Sequence, residues 1–224
     1  MHVLVLYLSM GIAALTAMTV HEFTKALVST KLGDRLPKER GRLTLNPLKH
    51  FEFFGFFATR YTGLGWGKPV ETSQMNYKDR RMGTLLTYLT PVVVNIIVGI
   101  LFAFMSIPLW QALELSPVVP GHLLPPNIHR LLPGLEVSKI ITFHFWSLLR
   151  WIAFYNVTFA LFNIIPIYPL SGSKILGLFL NPNAALSMAR YEKIFQIVLL
   201  MLIFLGFLSG IINPIANNLL RFTL

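Results

Sequence analysis

The sequence contains no cysteine, and this absence excludes two kinds of site. No disulfide can cross-link the chain, and no thiolate can bind a metal ion. The absence also leaves the redox compartment open, because there are no thiols to indicate it.

Acidic residues are scarce as well, with 9 Asp and Glu against 19 Lys and Arg, and the formal net charge is +10. In a soluble protein this excess would favour a nucleic-acid partner, but no nucleic-acid-binding motif accompanies it. Apolar residues make up 54% of the chain, and charged residues only 12%. The composition therefore predicts an integral membrane protein with the lipid bilayer as partner and no nucleic acid.

Four stretches lack Asp, Glu, Lys and Arg and are long enough to cross roughly 30 Å of hydrocarbon. They are Val3–Val20, Met82–Ile107, Trp151–Ser173 and Ile194–Leu220. With helix-breaking residues taken into account, the spans are predicted near residues 3–32, 82–107, 151–170 and 194–220. The fold class is thus all-α, with about four transmembrane helices in a single membrane domain covering residues 1–224.

The basic residues are unevenly distributed. Twelve of the nineteen lie in residues 21–81, between the first two spans, and only three lie between the second and third. The positive-inside rule then places the N-terminus outside and the first linker in the cytoplasm. The cytoplasmic end of the first helix is consequently the end that contains His21.

The linker segment Phe51–Val70 is rich in aromatic residues and glycine. This density does not favour a straight spanning helix, and we predict a small membrane-associated β-hairpin or a re-entrant loop. The edge of such a hairpin can bind an extended peptide by accepting it as an additional strand. An aromatic anchor at the membrane interface is the alternative interpretation.

The segment His21-Glu22-Phe23-Thr24-Lys25 differs at one position from the H-E-x-x-H motif of zinc proteases. In that motif two histidines on one helical face bind Zn²⁺, and the glutamate acts as general base on the metal-bound water. Here Lys25 stands at the second histidine position, and a protonated ammonium has no lone pair for a metal. Because Lys25 is three residues from Glu22 on the helix, we predict that the two side chains pair.

A second polar segment follows the third span. Pro166 and Pro169 interrupt the helical pattern, and a Ser171-Gly172-Ser173 turn comes directly after them. A broken helix at membrane depth is stable only where it lines a cavity or packs on protein. Since both polar segments are predicted to lie toward the cytoplasmic side, we expect them to meet.

With these segments the chain resembles the site-2 protease family of intramembrane zinc metalloproteases. Five segments match family motifs in the right order. They are His21–Lys25 for H-E-x-x-H, Gly41–Pro47 for G-R-x-T-L-N-P, Gly65–Val70 for G-W-(G/A)-K-P-V, the Thr90-Pro91…Asn95 helix, and Phe162–Gly172 for F-N-x-x-P-x-x-P-L-D-G.

The resemblance implies a zinc site that this chain has lost. In the family the two His of H-E-x-x-H and the Asp of L-D-G bind zinc; by position these are His21, Lys25 and Ser171. Two of the three ligands are therefore replaced, Glu22 keeps only a vestigial general-base position, and no cofactor is expected, whereas active members use zinc. The supporting and substrate-binding positions that carry over are Asn95, Asn163, Pro166, Gly172, Gly65, Trp66 and Gly67.

Three functions follow from these observations. The first is a catalytically inactive homologue that retains binding of a membrane-tethered protein or peptide. The second is an active intramembrane metalloendopeptidase in which His50 or His144 completes a non-standard zinc site. The third is a small channel or transporter that uses intramembrane polar groups such as His21, Glu22, Lys25 and Asn95. The compact length resembles a minimal bacterial member of the family, which predicts the bacterial plasma membrane as its location.

Overall fold

The computed structural model describes residues 2–114 and 136–223, and these residues form helices joined by turns and irregular segments, with no β-strand among them. The helices are α1 (His2–Lys31), α2 (Leu36–Glu39), α3 (Pro47–His50), α4 (Phe53–Thr62), α5 (Arg80–Leu113), α6 (Val137–Asn163), α7 (Ser171–Gly177), α8 (Pro182–Arg190), α9 (Glu192–Phe204) and α10 (Phe207–Leu220). The all-α fold class is confirmed.

Among the described helices, α1, α5 and α6 are each long and apolar enough to cross a membrane. Within the most apolar window of each, 72% of α6 is buried, against 33% of α1 and 28% of α5. The helix α6 is therefore the centre of the bundle, and α1 and α5 pack on it. The close approach of α5 to α6 depends on Gly99, because a Cβ there would lie 2.6 Å from a methyl group of Val157.

The fourth predicted span consists of two helices. Together α9 and α10 pass the same test for a membrane span, but they are bent by 66° at the break between them. The bend occurs at Gly206, whose φ of +77° is a left-handed conformation that glycine adopts without strain. Ile203 on α9 and Ile212 on α10 pack with Leu64 and Phe162 in one buried cluster, so the break curves the chain around the end of α6.

The predicted β-hairpin is wrong. Residues 53–62 form the helix α4, and a non-helical segment, residues 63–73, follows it. The helix begins where the Glu52 carboxylate accepts hydrogen bonds from the amides of Phe54 and Gly55, and it ends at Gly63 with a φ of +76°. The mixture of glycine and aromatic residues does not distinguish a helix from a hairpin. Capping at both ends stabilises the helix here.

The third predicted span is displaced along the chain. We predicted residues 151–170, whereas α6 runs from Val137 to Asn163. We placed the start of this span directly after the charged residue Arg150, but an arginine does not interrupt helical hydrogen bonding. The helix ends early because Pro166 and Pro169 lack the amide hydrogens that would continue it. The first helix ends at Lys31, close to the predicted boundary, and Gly33 follows with a φ of +108°.

Candidate functional site

The two polar segments meet, as the sequence predicts. His21 is in the second half of α1 and Ser171 is the first residue of α7. Nε2 of His21 lies 3.4 Å from Oγ of Ser171. His21 is fully buried and Ser171 is 2% exposed. The ring of Phe159 on α6 packs edge-on against the His21 ring, with centroids 5.2 Å apart. A hydroxyl group thus faces the ring nitrogen at the position where the family has a carboxylate.

The predicted pair of Lys25 and Glu22 is present. Nζ of Lys25 donates to both carboxylate oxygens of Glu22, at 3.0 and 3.1 Å. The two residues are 6% and 5% exposed, so the pair is shielded from solvent. The Tyr88 ring of α5 lies 5.8 Å from the same ammonium. Because both charges are buried, each one depends on the other to offset its desolvation.

Glu22 also holds the segment that follows α4. Its Oε2 accepts a 2.7 Å hydrogen bond from the amide of Val70. Nearby, the amide of Lys68 donates to the carbonyl of His50 at 2.8 Å, and the buried guanidinium of Arg42 donates to the carbonyl of Lys68. This backbone contact to Glu22 and the Arg42 contact were not evident in the sequence, because backbone partners and long-range contacts leave no local pattern.

Asn95 belongs to a buried polar network of three helices. Its Nδ2 donates to the carbonyl of Ala17 on α1 at 3.1 Å and to Oδ1 of Asn156 on α6 at 3.2 Å. Asn95 and Asn156 are both fully buried. Sequence reasoning missed Asn156, although an Asn within an apolar span is itself a signal for a contact between helices.

The remaining predicted positions have packing roles. Gly65 and Gly67 are buried. A Cβ on Gly65 would overlap Thr59 and the carbonyl of Gly55, and one on Gly67 would lie 3.0 Å from the carbonyl of His50. Trp66 is partly buried, and Asn163 donates to the carbonyl of Phe159 at 2.9 Å. Pro166 is exposed, so it lies apart from the buried groups of the site.

The residues present do not fit a zinc ion. A zinc site in a protein needs at least three ligands with free lone pairs. Here His21 is the one imidazole, Ser171 offers a neutral hydroxyl, and the positively charged ammonium of Lys25 neutralises Glu22. In the described parts of the chain, no group of three or more His, Asp or Glu side chains is arranged to hold a metal ion.

Of the two histidines considered as replacement ligands, His50 lies beside the Glu22 and Lys25 pair, and His144 lies toward the other end of the bundle. Nε2 of His50 is 2.7 Å from the carbonyl oxygen of Thr44, and burial lowers the pKa of His50. His144 is near the start of α6, where its ring contacts His2 at 3.0 Å. Among the described residues, neither histidine joins His21 in a group of three His, Asp or Glu side chains that could hold a metal ion.

Two curated proteins are similar to this chain over most of its length. One, from Bacillus subtilis (strain 168), bears the name "Putative zinc metalloprotease YwhC" and is 28% identical over 206 residues, which cover 92% of this chain and 84% of that protein. Another, from Mycolicibacterium smegmatis, bears the name "Putative zinc metalloprotease Rip2" and is 24% identical over 195 residues, which cover 84% of this chain and 64% of that protein. No family model and no solved structure matches the chain.

Proposed function

We propose that this chain, a degenerate homologue of the site-2 protease family, is a zinc-free membrane protein that does not cleave peptides and instead binds a membrane-tethered protein or peptide. The observation that carries the proposal is the buried ion pair of Lys25 and Glu22. It places a fixed positive charge where the family has a zinc ligand, and it engages both oxygens of the carboxylate that would act as base. Without a metal there is no acidified water for that carboxylate to deprotonate.

The ion pair also supports the proposal that the fold around Glu22 is retained. A carboxylate left in an apolar site after loss of the metal would be unpaired and strongly destabilising. The ammonium of Lys25 offsets this charge and leaves Glu22 free to accept the Val70 amide. The replacement therefore maintains the contact between α1 and the segment after α4, which is the segment proposed to meet a partner.

Restoring both replaced ligands is expected to restore zinc binding. We expect purified wild-type protein to contain no stoichiometric zinc by mass spectrometry, and the double variant Lys25→His, Ser171→Asp to contain about one ion per chain. The matched control adds His21→Ala to the double variant, which removes the retained ligand and should abolish the gain. Stoichiometric zinc in the wild type that disappears with His21→Ala alone would refute the proposal.

The proposed binding surface is the non-helical segment that follows α4. Its amides at Lys68, Val70 and Ser73 are anchored to His50, Glu22 and Asp34 of the same chain. No described residue has strand structure, so nothing described pairs with the segment along a strand edge. A backbone held in place on one side and unpaired on the other favours an extended peptide that adds as a strand.

Crosslinking tests the binding role. A photoreactive residue at the exposed position Glu71 is expected to crosslink a single-span peptide whose juxtamembrane part is extended. The same residue at Lys193, which is exposed on α9, serves as the matched control for exposure and should yield no specific adduct. Replacing one juxtamembrane residue of the peptide with proline should reduce the yield, because proline removes a ladder hydrogen bond. Equal yields at both positions would count against this surface.

A further inference from the structure

A buried arginine contacts the non-helical segment that follows α4. Arg42 is 9% exposed, and its guanidinium donates to the carbonyl of Lys68. Its Nε atom is buried and has no hydrogen-bond partner, and Arg42 forms no ion pair with a carboxylate of the described residues. A neutral carbonyl serves one of the five donors of a guanidinium and does not neutralise its charge. A buried charge in this state is costly and attracts an anion.

The carboxylates that act on the charge of Arg42 already have cationic partners. Burial lowers the pKa of Arg42, and the charges of Glu22 and Glu71 raise it. Glu22 pairs with Lys25 at 3.0 Å, and Glu71 pairs with Arg40 at 3.6 Å. Each of these two pairs is neutral as a whole. The positive charge of Arg42 is therefore in excess at this part of the segment.

Lys68 adds a second positive charge at the surface of the segment. It is exposed, and within the described ranges it forms no ion pair. Its carbonyl accepts from Arg42 and its amide donates to the carbonyl of His50 at 2.8 Å, so the backbone of this residue is held in place. The buried carboxylate of Asp34 binds the amide of Ser73, at the far end of the segment. Around residues 68–71 the complement to the two excess charges is an acidic group.

We propose that this segment selects, among membrane-tethered peptides, those with aspartate or glutamate in the extended juxtamembrane part. Lys68 contacts the acidic side chain, and Arg42 positions Lys68 and adds positive charge from the protein interior. This inference rests on the proposed function, because it names the class of peptide that the segment binds. The amides of Glu71 and Thr72 accept no partner from the described parts of the chain, and they are available to the backbone of the peptide.

A peptide fits these groups better than a lipid headgroup does. The phosphate of an anionic lipid can pair with the ammonium of Lys68, but a phosphate diester only accepts hydrogen bonds. The carbonyl of Glu71 receives no hydrogen bond from any described residue, so it needs a donor. An extended peptide supplies N–H donors and carbonyl acceptors along the same edge, together with the acidic side chain.

Binding of designed peptides to the full-length protein in an uncharged detergent tests the selectivity. Each labelled peptide has one apolar span followed by the same extended juxtamembrane part, in which a central run of three residues is Glu, Gln or Lys. Fluorescence anisotropy gives the affinities. We expect the Glu peptide to bind about fivefold more tightly than the Gln peptide, the upper end for an opposite-charge pair across neighbouring strands. The Lys peptide should bind most weakly, and added salt should reduce the preference because Lys68 is exposed.

Substitutions assign the preference to particular residues. Lys68→Gln should abolish the preference for the Glu peptide, and Lys68→Glu should reverse it, so that the Lys peptide binds most tightly. The matched control Lys193→Gln removes another exposed positive charge, on α9, and should keep the preference. Arg42→Gln should reduce the ratio of the two affinities, whereas Arg42→Lys, which retains the charge, should preserve it. A purely structural role of Arg42 would change both affinities equally.

The outcomes separate this inference from the proposed function. Equal affinities of wild type for the Glu and Gln peptides overturn the selectivity but leave peptide binding intact. Binding of none of the peptides overturns both proposals. A preference that survives Lys68→Gln would show that the net charge of the chain attracts the peptide, which also overturns the assignment. If Lys68→Gln weakens binding of phosphatidylglycerol in mixed micelles and leaves peptide binding unchanged, the charge serves a lipid and the inference is wrong.

Discussion

Replacing Lys25 with methionine is expected to destabilise the protein by about 3–5 kcal/mol, the usual effect of breaking a buried ion pair from one side. Methionine fills a similar volume, so packing changes little, but both hydrogen bonds to Glu22 are lost. The carboxylate of Glu22, which is 5% exposed, then keeps the Val70 amide as its one hydrogen-bond donor among the described residues. A large drop in the thermal midpoint in detergent is the expected readout.

Two controls distinguish an unpaired charge from a general loss of packing. The double variant Glu22→Gln, Lys25→Met removes both charges and should recover much of the lost stability, because no buried charge then remains unpaired. Lys139→Met breaks an equally short ion pair, at 2.9 Å to Glu114, but that glutamate side chain is 76% exposed. Solvent screens such a pair, so this variant should leave the midpoint unchanged. An unchanged midpoint for Lys25→Met itself would disprove the pairing role.

The Gly172→Ala variant is expected to lose about 3 kcal/mol of stability, at the upper end of the usual range for overpacking. A Cβ at position 172 would overlap the carbonyl oxygen of Ile164, and it would lie 2.5 Å from that of Ile165. Both are backbone atoms in the break between α6 and α7, so no flexible side chain can move aside. The displacement would also shift Ser171 away from His21.

The same helix provides the control. A Cβ on Gly177, at the other end of α7, has no atom within 4 Å. Gly177→Ala is therefore expected to be neutral or slightly stabilising, because alanine has the higher helix propensity. Thermal midpoints of the two variants, measured in the same detergent, compare one substitution in two environments. Equal midpoints would show that the chain relaxes around position 172, contrary to our expectation.

The degenerate site was largely predictable from the sequence because its decisive features are local. The sequence shows directly that Lys25 stands at the position of a ligand in the H-E-x-x-H motif. That Lys25 and Glu22 are neighbours on the helix follows from their spacing of three residues. The structure confirms the pair at 3.0 Å and the meeting of His21 with Ser171 at 3.4 Å. Membrane topology, single-domain organisation and the binding partner stay predictions, since they depend on the bilayer and on other molecules.

Other features were decided by tertiary structure. The helix α4 replaced the expected hairpin because Glu52 caps its first amides and Gly55 packs directly against Trp66, and neither effect is contained in residue composition. The start of α6 at Val137 depends on burial of Trp146 and Leu149 in the bundle rather than on hydropathy.

The sequence by itself determined the all-α class of the fold and the replacement of two zinc-ligand positions of the family, because apolar runs and residue identities are properties of single residues and short spacings. Only the tertiary structure decided which distant groups meet: the Val70 amide with Glu22, Asn156 with Asn95, and His2 with His144. These contacts join residues 48 to 142 positions apart, and the packing of the helices and of the segment after α4 brings them together.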